Sequence, residues 1–236
     1  MRGLRPALWL AGAVVFAGAA GAGAAPFAYI NNEMGNDVSV LDVSTNTVGA
    51  TVAVGSLPIG VVVTPNGTAA YVPNYNDNTV SVIDTATNTV MATAKVGNAP
   101  IGVVVRPDGA RVCVTNSGDG TVSVIYTSDN VVWDLTHVGH YPMGAAVSPD
   151  GTRVYVANNG DGTVTVIDAV SYGVITTVAV GSHPIGVAVT RDGTAVYVVN
   201  SWDNTVSVID TATNTVTAGP VAVGNGPSGF GNFTGP

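Results

Sequence analysis

Residues 70–105 read AYVPNYNDNTVSVIDTATNTVMATAKVGNAPIGVVV, and this stretch decides the fold. It holds four short runs rich in Val, Thr and Ile: Ala70–Val72 extending to Asn74, Thr79–Asp84, Thr89–Val96 and Ile101–Val105. β-Branched residues suit strands. The breaks at Asp77-Asn78, Thr85–Asn88 and Gly97–Pro100 are built largely from turn residues. Four such runs with short turns between them read as an antiparallel meander.

The stretch recurs along the chain. Tyr29, Tyr71, Cys113, Tyr155 and Tyr197 stand at one constant interval, and Asn32, Asn74, Asn116, Asn158 and Asn200 follow each of them at the same short offset. Asp42, Asp84, Asp168 and Asp210 keep the same period, with Tyr126 in the third unit. Pro58, Pro100, Pro142 and Pro184 keep it too, followed closely by Gly60, Gly102, Gly144 and Gly186 respectively. The last copy, Pro227 and Gly229, is shifted by one position. A four-stranded sheet apolar on both faces cannot bury itself, and radial stacking of such sheets buries both. The expected fold class is all-β: a β-propeller of five four-stranded antiparallel blades of about 42 residues.

The strings Tyr29-Ile-Asn-Asn, Tyr71-Val-Pro-Asn, Cys113-Val-Thr-Asn, Tyr155-Val-Ala-Asn and Tyr197-Val-Val-Asn resemble the YVTN family β-propeller repeat. The Thr-Val-Ser-Val-Ile-Asp and Pro-Ile-Gly-Val segments share the likeness, which covers essentially residues 27–236. The resemblance implies a propeller and an extracytoplasmic home, as in surface-layer and periplasmic proteins, and implies no single activity. In a propeller, Pro-Ile-Gly-Val would be the innermost strand, Tyr-Val-x-Asn the second and Thr-Val-Ser-Val-Ile-Asp the third. The chain then enters at a second strand, Phe27–Asn31, and ends on an innermost one, Gly226–Phe233. Pairing of that C-terminal strand with the N-terminal blade is expected to close the ring and remove its open edges. Residues 26–236 exceed five whole units by a single position, and the excess falls near Gly219-Pro220, before the last outer strand.

Residues 1–25 have another character. Arg2 and Arg5 precede the apolar run Ala7–Ala20, and Ala22-Gly23-Ala24 supplies small residues. This is the order of a secretory signal peptide, cleaved after Ala24 or Ala25, which leaves residues 26–236 as a single domain with no membrane span. The expected location is secreted or periplasmic. The formal net charge is −8, and five basic residues face fifteen acidic ones once Arg2 and Arg5 are set aside. Such a surface repels phosphate backbones, so nucleic acid is not an expected partner. Cys113 is the one cysteine, so no intrachain disulfide is available.

Residues repeated in every blade are expected to build blades. The in-register Asn and Asp read as caps of nearby backbone N–H groups. Asp119-Gly-Thr and Asp161-Gly-Thr read as hairpin turns, since the full spacing of a calcium loop is absent. Asn66-Gly-Thr68 and Asn232-Phe-Thr234 match glycosylation triplets that are common by chance. Function is sought in departures from the repeat. The loops before the innermost strands carry Ser56-Leu57, Asn98-Ala99, His140-Tyr141, Ser182-His183 and Asn225-Gly226. The turns between second and third strands carry Glu33-Met34, Tyr75-Asn76, Ser117-Gly118, Asn159-Gly160 and Ser201-Trp202. Both sets are expected at one mouth of the ring. Glu33, Tyr75, His140, Tyr141, His183 and Trp202 are therefore the candidate ligand-binding residues.

No catalytic set is evident. There is no G-x-S-x-G elbow, Glu33 is the sole glutamate, and Cys113 sits in a strand as a small hydrophobe. No metal is expected either: two mouth histidines lack a third ligand, and Glu33 is the only carboxylate among the ten loop pairs. No cofactor is called for. The reading is a non-enzymatic binding or scaffold protein of the periplasm or cell surface, a monomer whose partner is a protein, glycan or small molecule. The alternatives are a propeller enzyme of lactonase or quinoprotein dehydrogenase type with its site at the same mouth, and a self-assembling surface-layer component.

Overall fold

The computed structural model describes residues 15–17, 27–217 and 220–229. The expected cleavage site and residues 230–233 of the expected closing strand lie outside them. Among the described residues there are five antiparallel sheets and no helix. The first is ordered Val15–Ala17, Phe27–Asn32, Asp37–Asp42, Thr47–Ala53. The second is Val62–Val63, Ala69–Asn74, Thr79–Asp84, Thr89–Lys95. The third is Pro100–Val105, Arg111–Asn116, Thr121–Tyr126, Val131–His137, and the fourth Pro142–Val147, Arg153–Asn158, Thr163–Asp168, Val174–Ala179. The fifth is Pro184–Val189, Ala195–Asn200, Thr205–Asp210, with Thr215–Val216 and Val221–Ala222 both paired to Thr205–Asp210. Pro220 lies just before Val221–Ala222, and an outermost strand tolerates it because one side is unpaired.

The sheets pack face to face in chain order, and the core is what lies between them. Tyr29, Val38 and Val40 of the first sheet meet Val61, Val63 and Val72 of the second. Tyr71, Val80 and Val82 meet Val112, Val114 and Ile125 of the third. Comparable clusters join the third sheet to the fourth and the fourth to the fifth. The near-continuous Val/Ile runs are explained by this burial on both faces. The innermost strands approach closely: a Cβ on Gly144 would meet the Ile185 carbonyl oxygen at 2.6 Å, so only glycine fits there.

Two features differ from expectation. Each outer strand of the first four sheets carries a β-bulge at the same repeat position, where Gly49, Met91, Trp133 and Ile175 are passed over in the register. Bulges of this kind twist and blunt an edge strand. Second, Val15–Ala17, from the segment read as a sorting signal, pairs with Phe27–Tyr29 in the innermost position expected for the C-terminal strand. The physical reason is an open edge: the strand at Phe27 has unpaired main-chain groups, and an apolar segment is at hand to meet them. Gly229 lies against Gly186 of the fifth sheet, in the next innermost position.

Candidate functional site: the mouth loops

The site is assembled from hairpins. In the second to fifth sheets, the loop before the innermost strand and the turn after the same sheet's second strand are joined by main-chain hydrogen bonds. Tyr75 N–H donates to Leu57 O (3.0 Å), Ser117 to Ala99 (2.9 Å), Asn159 to Tyr141 (3.0 Å) and Ser201 to His183 (3.1 Å). In those four sheets the two sets of variable positions therefore share one face.

The repeated asparagines support it. Asn74 Oδ1 accepts from Gly55 N–H (3.1 Å), while its Nδ2 donates to Thr79 Oγ1 and Ser81 Oγ (both 2.9 Å). Asn158 and Asn200 repeat the pattern. A second family of braces was missed at the sequence level. Asp77, Asp119, Asp161 and Asp203 also recur once per repeat. Each carboxylate accepts the N–H of the facing loop: Ser56 (2.7 Å), Asn98 (2.6 Å), His140 (2.7 Å) and Ser182 (2.6 Å). The N–H bonds from His140 and Ser182 hold the Asp161 and Asp203 carboxyls below the usual range. The shared period is the signal that marks these aspartates, and the variable pair just before each one draws the eye away from it.

These aspartates lie just outside the ten loop pairs and bring carboxylates to the mouth that those pairs lack. His140 does have an acidic partner in the mouth loops: its Nδ1 lies 2.7 Å from Asp161 Oδ1. The imidazole is oriented by that contact and its side chain is 83% exposed. His183 and Trp202 come together, their rings stacked at 3.5 Å between centroids and 12° between planes. Trp202 is nevertheless 72% exposed, and Tyr141 62%. Tyr141 rests beside Gly160, where a Cβ would approach its Cδ2 to 2.9 Å. Tyr75 turns inward and packs with Leu57, Ile59, Ile101 and Met143. Glu33 is half-buried on the first sheet's turn, and desolvation raises its pKa. No described contact joins it to the other five. Among the described residues no three metal-ligating side chains converge.

The loops share a backbone constraint. Leu57, Ala99, Tyr141 and His183 have φ of 54°, 54°, 50° and 52°, and Gly226 takes 64° in the last loop. This left-handed region favours glycine and costs a bulky side chain on the order of 1–2 kcal/mol. Asn36 and Asn78 help hold it by accepting the N–H of Leu57 and Ala99 (both 2.9 Å).

The model of the cytochrome D1 heme domain family matches residues 109–224, just under half of the chain. No curated protein sequence matches the chain. Among solved structures, hydrazine synthase of Kuenenia stuttgartiensis is similar, with 20% identity and a TM-score of 0.64 over 85% of this chain and 84% of that one. A functionally unknown protein of Desulfotomaculum acetoxidans DSM 771 is similar with 18% identity and a TM-score of 0.71, over 84% of this chain and 70% of that one. Likeness at this identity shows the fold, and together with the repeated sheets it makes the chain a β-propeller.

Proposed function

We propose that the chain is a non-enzymatic binding module of the cell envelope, exported by its N-terminal segment and folded as a closed five-bladed ring, whose mouth loops contact a ligand. The YVTN-type repeat and the acidic, repeat-built scaffold support this reading. The observation that carries it is the backbone of the mouth loops. Tyr141 and His183 place rings where the fold would most cheaply take glycine, as it does at Gly226. Leu57 and Ala99 take nearly the same φ, so the backbone geometry belongs to the repeat. What the backbone does not need is a ring at that position, and the rings of Tyr141 and His183 point to a contact outside the fold.

The test is Tyr141→Gly. The side chain is largely exposed, so its removal costs little packing, and the left-handed strain is relieved. The melting temperature is expected to hold or rise by a few degrees, equivalent to about 1 kcal/mol. A thermal-shift panel of sugars, divalent metals and quinones should stabilise the parent protein with at least one compound. That shift should vanish in Tyr141→Gly or Trp202→Ala. A shift that survives both changes would put the ligand elsewhere and sink the reading.

A haem, suggested by the partial family match, needs an axial donor facing a flat apolar slot. The described residues do not fit it. His140 stands on the exposed rim bound to Asp161, and His183 lies flat on Trp202 with its Nδ1 buried. Leu57, Tyr75 and Met143 pack against Ile59 and Ile101, so these apolar side chains are already taken up in one cluster.

A further inference from the structure

The third blade departs from the repeat at three positions that meet in space, together with Arg111, far from the mouth pairs. Tyr126 stands where the other blades have Asp42, Asp84, Asp168 and Asp210. Asp129 stands where they have Thr45, Thr87, Ser171 and Thr213, and Trp133 where they have Gly49, Met91, Ile175 and Thr217. Arg111 is shared with the fourth blade, which has Arg153, whereas the second and fifth blades have Ala69 and Ala195. The Arg111 guanidinium sits 4.4 Å over the Tyr126 ring. Tyr126 meets Trp133 edge to face at 6.2 Å. Trp133 Nε1–H donates to Asp129 Oδ2 at 3.2 Å, and Asp129 Oδ1 accepts from Val131 N–H. The indole is thus held from two sides while 64% exposed, at the bulge of the outer strand. Val131 and Leu135, which flank it on the same strand, are also exposed.

We propose that this stack is a carbohydrate-binding platform, independent of the mouth. An exposed aromatic face fixed beside a carboxylate and a guanidinium asks for a ligand with a flat apolar side and hydroxyl edges, which is a pyranose ring. Arg111 and Asp129 cancel in charge, and Arg111 already fills the cation position over Tyr126, so the ligand is neutral. The outward side chains from Val131 to Leu135 span roughly 13 Å. That suits a few sugar rings and falls well short of the roughly 800 Å² a stable protein partner covers on each side. The bulge interrupts the main-chain ladder, which disfavours an added strand.

The experiment follows the indole N–H resonances of the three tryptophans by NMR during titration of the full chain with cellohexaose and with chitohexaose. The Trp133 signal is identified by its loss in Trp133→Ala. It should shift with at least one of the two sugars, with a millimolar or tighter dissociation constant. Trp133→Ala should weaken binding about tenfold or more, while Trp202→Ala leaves it unchanged. No shift at Trp133 at roughly ten millimolar of either sugar, or affinity unaffected by Trp133→Ala, overturns the proposal and leaves the stack as a protein contact. Because Trp202 and Tyr141 take no part, the mouth reading stands or falls separately.

Discussion

Asn158 shows what a repeated residue does in this molecule. It is fully buried, and its amide spends both ends: Oδ1 accepts from Gly139 N–H at 3.1 Å, and Nδ2 donates to Thr163 at 3.0 Å and Thr165 at 2.8 Å. An aspartate has nearly the same shape and no donor. Asn158→Asp would bury a charge and strand two hydroxyls, and should cost about 3 kcal/mol in chemical denaturation. A loss below about 0.5 kcal/mol would show that the amide is not what holds the mouth hairpin. That these asparagines are structural was legible from their recurrence. Their partners were less legible, because the amide reaches across its own hairpin to hydroxyls on the facing strand, and threonines are frequent everywhere in this chain. The candidates Tyr75 and Trp202 show the same limit. Both are aromatic residues at a mouth turn, yet one packs inward and the other is exposed, and only the neighbouring loop decides which.

At the scale of the blade, the most informative pair is Cys113 and Tyr172. Tyr71 on a second strand donates its hydroxyl to Asn130 Oδ1 of the next blade at 2.6 Å. One unit later the tyrosine is Cys113 and the asparagine is Tyr172. Both lie in the cluster between the third and fourth sheets, and burial pushes each pKa up to about 12. The ring that fills this gap therefore comes from the opposite side. Cys113→Tyr alone should overpack the gap and cost about 1–3 kcal/mol. Tyr172→Asn alone should leave a cavity costing about 3 kcal/mol. Together they restore the arrangement of the second blade, so the double variant should return to within about 1 kcal/mol of the parent, with a coupling of about 2 kcal/mol or more in a double-mutant cycle by urea unfolding. Strictly additive losses would refute the exchange. The cysteine was visible in the sequence as a departure, but its partner lies far along the chain in another blade, and nothing local marks it. The outer-strand bulges were hidden for a different reason. A bulge position accepts any residue that points outward, so Gly49, Met91, Trp133 and Ile175 share no type to recognise.

Across the whole molecule, the hairpins depend on ionised aspartates. Asp42, Asp84, Asp168 and Asp210 accept backbone N–H bonds in the turns between third and fourth strands. Asp150 and Asp192 do so after the innermost strands, and Asp161 and Asp203 at the mouth. Hydrogen bonds to these carboxylates lower the pKa of every one of the eight. A carboxyl with a lowered folded pKa stabilises the fold fully above its unfolded value, about 3.9, and loses that contribution as pH falls through the folded value. Between neutral pH and about 4.5 the opposing effect is mild relief of self-repulsion, since the chain carries a formal charge of −8. On the alkaline side the sign reverses. The Cys113 thiol and the Tyr71 hydroxyl are pushed up to about 12 by burial. Such groups stabilise the fold below their unfolded values, about 8.5 and 10, and lose that as pH rises towards the folded ones. The melting temperature should therefore form a plateau from about pH 4.5 to 8.5, falling steeply below about 4 and more gradually above about 9. A steady decline between pH 7 and 5 would instead place the acid sensitivity in histidines. The turns would then owe their rigidity to backbone geometry rather than to the carboxylates that cap them.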